Sequence, residues 1–455
     1  MSRWPRAAAA WGCALLAACS AASPTSSSPA PGFSAGPGAA ARTDWPAYHR
    51  TPDRAGALKG GPFHGAAVAW QSDELDGDVY GSPLVVGGRA LVATENNTVY
   101  AFDAASGGLL WSRHLGAPVD AGSLPCGNIA PVSGITSTPV ADPSARVVYA
   151  AAFLAPGHHQ LFTIALTDGT VRGQVGVDPP GEDPLTHQQR AALALGSGRV
   201  YVAYGGLFGD CGRYHGWVVG APASGSGANV SYRVPSGNAA GLWAPSGPAI
   251  DAAGNVYIAA GNSFSGDRFD YGNAVIKLSP ALSQLDWFAP AEWQQLNGID
   301  GDLGSMGPLL LGEGLLFQSG KPGVGHLLRT GRLGGIGGQA FAADLCTGGG
   351  GVRGGAAAVL PLVYVPCSSG LLALRVDQAA PAFKVAWRAS GFAPGPPIVA
   401  GGAVWSADAG SGALYALDPE TGRQLFQTSV GELAHFATPP ASTPHIGSAP
   451  AKRSG

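Results

Sequence analysis

Apolar and polar residues alternate in short strand-length runs from about residue 44 to 440, with Gly, Pro, Asn and Asp between the runs. The clearest stretch is Asn97-Thr98-Val99-Tyr100-Ala101-Phe102-Asp103-Ala104-Ala105-Ser106-Gly107-Gly108-Leu109-Leu110-Trp111. It reads as a β-hairpin. An alternating run meets a polar corner where the Asp103 carboxylate can take backbone amides, a Gly makes the turn, and a second strand carries an aromatic residue. The pattern returns near the other end in Ala413-Leu414-Tyr415-Ala416-Leu417-Asp418-Pro419-Glu420-Thr421-Gly422-Arg423-Gln424-Leu425-Phe426. A hairpin repeated over that span predicts a closed or stacked array of similar units.

Between these copies a short motif ending in Pro recurs: Tyr80-Gly81-Ser82-Pro83, Thr136-Ser137-Thr138-Pro139, Pro245-Ser246-Gly247-Pro248, Ser305-Met306-Gly307-Pro308, Ala393-Pro394-Gly395-Pro396 and Phe436-Ala437-Thr438-Pro439. An apolar strand, a Gly-containing turn and a second strand follow nearly every instance. Two degenerate units, near Arg190 and near Gly354, fill the gaps. The count is about eight units at a period of roughly 45 to 50 residues, the size of a four-stranded propeller blade. The expected fold is therefore all-β, a β-propeller of eight four-stranded blades. Ala67–Ser72 looks like an outer strand without its blade, so the first and last segments are expected to share one blade. After Thr438-Pro439 the apolar strands of that blade do not follow, which leaves the last blade incomplete.

Composition agrees with many tight turns: 71 Gly and 37 Pro in 455 residues, 45% hydrophobic and only 12% charged. A net charge of −3 with no basic stripe gives no reason to expect nucleic acid as a partner. The N-terminus is different. Arg3 and Arg6 precede an apolar run from Ala7 to Ala18, too short to span a bilayer and the right length for a signal-peptide core. The run ends in Leu16-Ala17-Ala18-Cys19, which resembles the bacterial lipobox. That resemblance implies a signal peptide over 1–18 and lipid on Cys19. Residues 19–43, rich in Ser, Ala, Pro and Gly, read as a flexible tether to the propeller at 44–440, and 441–455 as a disordered tail. The chain is expected to be exported and held at the outer face of the cytoplasmic membrane or in the periplasm. Four cysteines remain in the body, Cys126, Cys211, Cys346 and Cys367. They permit three pairings in an oxidising compartment. Cys126 with Cys211 and Cys346 with Cys367 is favoured, the first linking loops of adjacent repeats and the second spanning one hairpin.

Tyr100-Ala101-Phe102-Asp103 with Ser106-Gly107 and Trp111, and Tyr415-Ala416-Leu417-Asp418 with Thr421-Gly422, resemble the repeat of the pyrroloquinoline-quinone (PQQ)-type β-propellers. Asp44-Trp45-Pro46 with Arg54-Ala55-Gly56 resembles the segment that often precedes the first blade there. The resemblance implies that Trp111 and Phe426 pack between neighbouring blades, with Asp103 and Asp418 fixing the corners. The family includes quinoprotein dehydrogenases and non-catalytic lipoproteins of outer-membrane protein assembly, so membership speaks to fold more than to function.

Two functions follow from that likeness. A PQQ-dependent dehydrogenase would hold the quinone with Ca²⁺ in the central funnel, with a nearby Asp as base; the acidic candidates are Asp300, Asp302 and Glu292. The adjacent cysteine pair found in the family's alcohol dehydrogenases is missing from this sequence. The other function is a non-catalytic binding or scaffolding propeller, without cofactor or metal, that takes a protein or small polar ligand at the funnel mouth. Residues just before the Pro motif would face that mouth: Tyr80, Thr136, His187, Gln189, Arg190, Trp243, Asp302 and His435. Trp243 offers a stacking surface and Arg190 an anion clamp; the competing reading is that these residues hydrogen-bond blade to blade. The aromatic stretch Tyr204–Trp217 reads as a long hairpin stapled by Cys211, and His158-His159 as an exposed loop.

Overall fold

The computed structural model describes residues 14–17, 44–348, 350–442 and 445–448, of which 14–17 and 445–448 are described as backbone strands. Cys19 and the tether lie outside the described residues. Seven blades are built from successive strands, each counted outward from the centre. Blade 1 runs from Leu84–Val86 through Arg89–Ala93 and Thr98–Asp103 to Leu109–His114. Blades 2 to 7 begin at Val140–Asp142, Ala194–Gly196, Ala249–Ile250, Leu309–Gly312, Ala357–Val359 and Ile398–Ala400. Burial falls outward along each blade. Leu84–Val86 is wholly buried, while in Leu109–His114 only Trp111 is. Inner strands are covered on both faces by neighbouring blades; outer strands show one face to water.

The eight blades expected from the repeats are seven when counted in successive strands. Beside a two-stranded sheet of Val119–Asp120 and Val132–Ser133, one further sheet is composite, in the order Ala67–Gln71, Ala14–Ala17, His445–Ser448, Ala441–Ser442. Both chain ends thus share one sheet, drawing on stretches the sequence presents as signal peptide and tail.

The polar corners form as their sequence requires. One Asp103 oxygen accepts the N–H groups of Ala105 and Ser106 and the Ser106 hydroxyl, and Asp418 does the same for Glu420 and Thr421. These bonds hold the Asp103 carboxyl below its ordinary range. Each corner is also a socket for the blade before it. The Trp111 indole donates to Leu166 O at 3.1 Å and lies on Gly169, whose missing Cβ would come within 2.6 Å of the ring. Trp387 donates to Pro419 O at 2.9 Å and lies on Gly422 in the same way, and Trp70 does so to Ala104 O. Phe426 packs edge-on to Trp405 inside the apolar cluster of blade 7.

An innermost strand has no neighbour on its central side, so its N–H groups need partners. Residues 45–58 supply them by winding round the inside of the ring. Trp45 exchanges bonds with Val85 of blade 1, and Pro46 O accepts from Ala141 of blade 2. Pro52 O accepts from Ile250, Asp53 O from Leu310, Ala55 O from Ala358 and Gly56 O from Val399, in blades 4, 5, 6 and 7. Blade 3 is reached by the Arg54 guanidinium, which donates to the carbonyls of Leu193, Pro248 and Tyr48. Trp45, Tyr48, His49 and Arg54 are all buried. The segment preceding the first blade is the plug of the central channel. The disulfides Cys126–Cys211 and Cys346–Cys367 are both formed. The second does not span one hairpin as expected: it joins the segment after the outermost strand of blade 5, Phe341–Asp344, to the end of the second strand of blade 6, Leu362–Cys367.

Candidate functional site at the funnel mouth

Strand direction alternates along a blade, so the loop entering strand one and the loop between strands two and three emerge at the same end. The residues before each Pro motif and the residues after each second strand therefore share one face of the ring. Three groups of side chains meet there.

The first centres on Arg190. Its guanidinium lies between two rings, 5.3 Å from the Tyr80 centroid and 4.9 Å from that of Phe436, and donates to His435 O at 2.8 Å. Its Nε is buried without a partner, and no carboxylate among the described residues is in ion-pair reach of it. Burial lowers its pKa from 12.5, and the nearby Tyr80 and Glu95 oppose the shift, so it stays charged. Phe436, in the left-handed region at φ 70°, reaches across the mouth to within 6.3 Å of Trp243, with the His435 ring tilted against it at 4.0 Å between centroids. Burial, then Arg190 and Arg353, lower the His435 pKa, which leaves the imidazole neutral at pH 7.

The second group is the Lys321 ammonium, 2.6 Å from Asp302 and 2.8 Å from Asp300, and 5.7 Å from the Trp243 ring centroid. Asp302 is buried, and its other oxygen accepts Asn262 N–H at 2.7 Å. Burial lowers the Lys321 pKa, but Asp302 and Asp300 outweigh this and raise it.

The third group is a buried network rather than a surface. Glu95 accepts Gly134 N–H at 2.6 Å and the Thr136 hydroxyl at 3.1 Å, while Gln189 spans Gly134 O and Ser137 N–H. Burial pushes the Glu95 carboxyl up to about 7 against the hydrogen bonds that favour its charge.

Of the residues expected at the mouth, Tyr80, Arg190, Trp243 and His435 border it, and Asp302 lies just beneath, tied to Lys321. Thr136 and Gln189 instead hold blades together. His187 is buried, its Nδ1–H donating to Asp183 O at 2.9 Å and its Nε2 accepting His215 N–H. These three precede the first strand of a blade but point into the seam between blades, where backbone groups need partners. Glu292 stands just ahead of the short helix Trp293–Gly298, exposed and outside all three groups. His158-His159 is the start of a strand: His158 is exposed, whereas His159 is buried and bonded to Asp178. Glu95, Lys321, Arg353 and Phe436 were missed. The first two follow a second strand, so reading the loop after strand two as well as the Pro motif finds them.

Residues 64–206 match the family model described as outer membrane protein assembly factor BamB. Among solved structures, the chain is similar to a quinohemoprotein alcohol dehydrogenase of Pseudomonas putida, with a TM-score of 0.65 at 14% identity over 89% of this chain and 75% of that one. A europium-containing methanol dehydrogenase gives 0.64 at 15% identity over 86% of each chain. BamB from Moraxella catarrhalis gives 0.52 at 14% identity over 84% of this chain and 96% of that one. The fold is that of the PQQ-type β-propellers. No curated protein matches the sequence. At these identities the likeness carries the propeller and leaves catalysis and scaffolding both to be argued from the site.

Proposed function

We propose that the protein is a non-catalytic binding propeller of the cell envelope, lipid-anchored through Cys19, which takes an acidic protein or ligand at the funnel mouth. The observation that carries this is Arg190: a guanidinium held between Tyr80 and Phe436 at the mouth, with no carboxylate partner among the described residues. Such a group is pre-paid for binding an anion, since it is already ordered and partly desolvated. Export is supported by two disulfides in the body. No helix among the described residues is long and apolar enough to cross a membrane.

The residues present do not fit a Ca²⁺-bound quinone. Calcium takes six to eight oxygen ligands, with carboxylates among them. Here both Asp302 oxygens are taken, one by an N–H group and the other by the Lys321 ammonium, which occupies the place a cation would need. Glu95 is buried where burial favours its neutral form, and no cluster of three His, Cys, Asp or Glu suited to a metal exists among the described residues. Trp243, the flat surface a quinone would want, is faced by Phe436.

Two measurements test the reading. PQQ with Ca²⁺ added to the soluble body should leave its melting temperature and the quinone absorbance unchanged; a saturable rise would make the protein a quinoprotein. In pull-downs from envelope extracts, Arg190→Ala and Trp243→Ala should each lose a partner that wild type retains at low salt while keeping a cooperative melting transition and the wild-type near-UV circular dichroism. An unchanged partner set would remove the funnel mouth as the binding face.

A further inference from the structure

Beside the Phe436 loop, between blades 6 and 7, a cavity of about 240 Å³ opens on the funnel face. Its walls are largely apolar, made by Pro366, Pro394, Ala407, Ala409 and the Phe436 ring. Its polar side chains are Arg353, Ser368 and His435. Arg353 is half-buried, and among the described residues its guanidinium makes one long hydrogen bond, 3.4 Å to the Ser368 hydroxyl, which itself donates to Gly351 O, and no ion pair to a carboxylate. The carboxylate nearest in sequence to the walls, Asp408, is turned away: one oxygen accepts the N–H groups of Gly410 and Ser411 and the other that of Ala393. A guanidinium with open donors and an apolar chamber with room for one ring are thus brought together by loops of two blades and the Phe436 strap.

We propose that this pocket binds a small carboxylate with an apolar body, its carboxylate on Arg353 and its body against Phe436 and the two prolines. The assignment rests on reading the funnel face as the binding face, and names the ligand chemistry of a second subsite there. Arg offers a planar fork matched to a carboxylate, and the apolar walls strengthen that pairing by excluding water. A ligand this small binds in the millimolar range, by roughly the free energy its few heavy atoms can supply.

The test is fluorine NMR of 4-fluorobenzoate titrated against the full body of the protein, with 4-fluorobenzyl alcohol as the neutral control. Wild type should broaden the benzoate signal saturably and leave the alcohol unchanged. Arg353→Gln should weaken benzoate binding at least tenfold, and Arg353→Lys should recover part of it. Both substitutions alter a half-buried side chain, and an unchanged melting temperature confirms that the fold is intact. Equal binding by wild type and Arg353→Gln, equal binding of acid and alcohol, or no binding by wild type overturns the pocket. The funnel reading fails separately: Arg190→Ala would then keep every envelope partner, whatever the benzoate titration shows.

Discussion

Glu95 shows how much one side chain can do in a seam between blades. Its carboxyl is buried and raised to about 7 in the folded chain against 4.5 when exposed. A carboxyl raised on folding binds its proton more tightly in the native state. Its contribution to stability is therefore complete below about pH 4.5 and is lost as pH rises through about 7. The span corresponds to at most about 3 kcal/mol. Glu95→Gln keeps an acceptor for Gly134 and Thr136 and removes the titration. The expected outcome is that the variant matches or exceeds wild type in melting temperature at pH 8 and loses that advantage by pH 5. A difference that does not change with pH would mean that Glu95 does not titrate in this window. His49 and His326, lowered by burial to about 3 and about 4, act in the opposite sense, gaining stability as pH rises toward 6.5, but they cancel in the comparison of the two proteins.

At the scale of the element, the Asp corner and the tryptophan of the blade before it form one joint. Gly422 sits at φ 70°, and a Cβ there would meet the Trp387 ring at 2.5 Å. Gly422→Ala thus pays for both a left-handed backbone and a displaced indole, and should cost about 1 to 3 kcal/mol. Trp387→Phe should cost about 1 kcal/mol for the lost bond to Pro419 O, plus packing. In the double variant the two losses should fall short of their sum, because either change alone already opens the joint; strict additivity in denaturant melts would show that the ring and the turn do not act together. The halves of this joint were legible in the sequence because each is local, Asp103 and Gly107 making a turn that needs only neighbours and Trp111 standing on the strand after it. The pairing was not, since Gly107 receives Trp70 and Trp111 sits on Gly169 of the next blade. Nor was the plug. Residues 45–58 read as a segment ahead of the first blade, yet their partners stand at Val85, Ala141, Ile250, Leu310, Ala358 and Val399. No spacing announces contacts that the ring alone creates. The funnel mouth fell between these cases. Arg190 came from a unit without a Pro, whereas the Pro motif marked the mouth end of blades 1, 2, 4, 5 and 7 and so placed Tyr80 and Trp243 there. Neither could separate side chains that face the mouth from those, like Gln189, that turn into the seam.

For the whole molecule the question is what keeps the ring closed. The composite sheet places Ala14–Ala17 between Ala67–Gln71 and His445–Ser448, and cleavage ahead of Cys19 would remove that central strand. Closure does not depend on it alone. Ser82 donates to Thr438 O at 2.9 Å, Arg190 to His435 O, and Trp70 to Ala104 O, while Ala57–Leu58 runs parallel to Ile398–Ala400 and joins the plug to blade 7. Each of these bonds lies within 44–442 and survives cleavage. A chain beginning at residue 20 should therefore fold to the same ring and melt within a few degrees of the full chain, with near-UV circular dichroism unchanged. Removing residues 44–58 as well should have a much larger effect, because six innermost N–H groups and the Leu193 and Pro248 carbonyls held by Arg54 would lose their partners together, at about 1 kcal/mol or more each. That shorter chain is expected to lose its cooperative transition. If the chain from residue 20 already does so, Ala14–Ala17 belongs to the folded ring and cannot be a discarded leader. If both truncations melt like the full chain, the plug merely fills the channel, and the blades hold the ring by their seams.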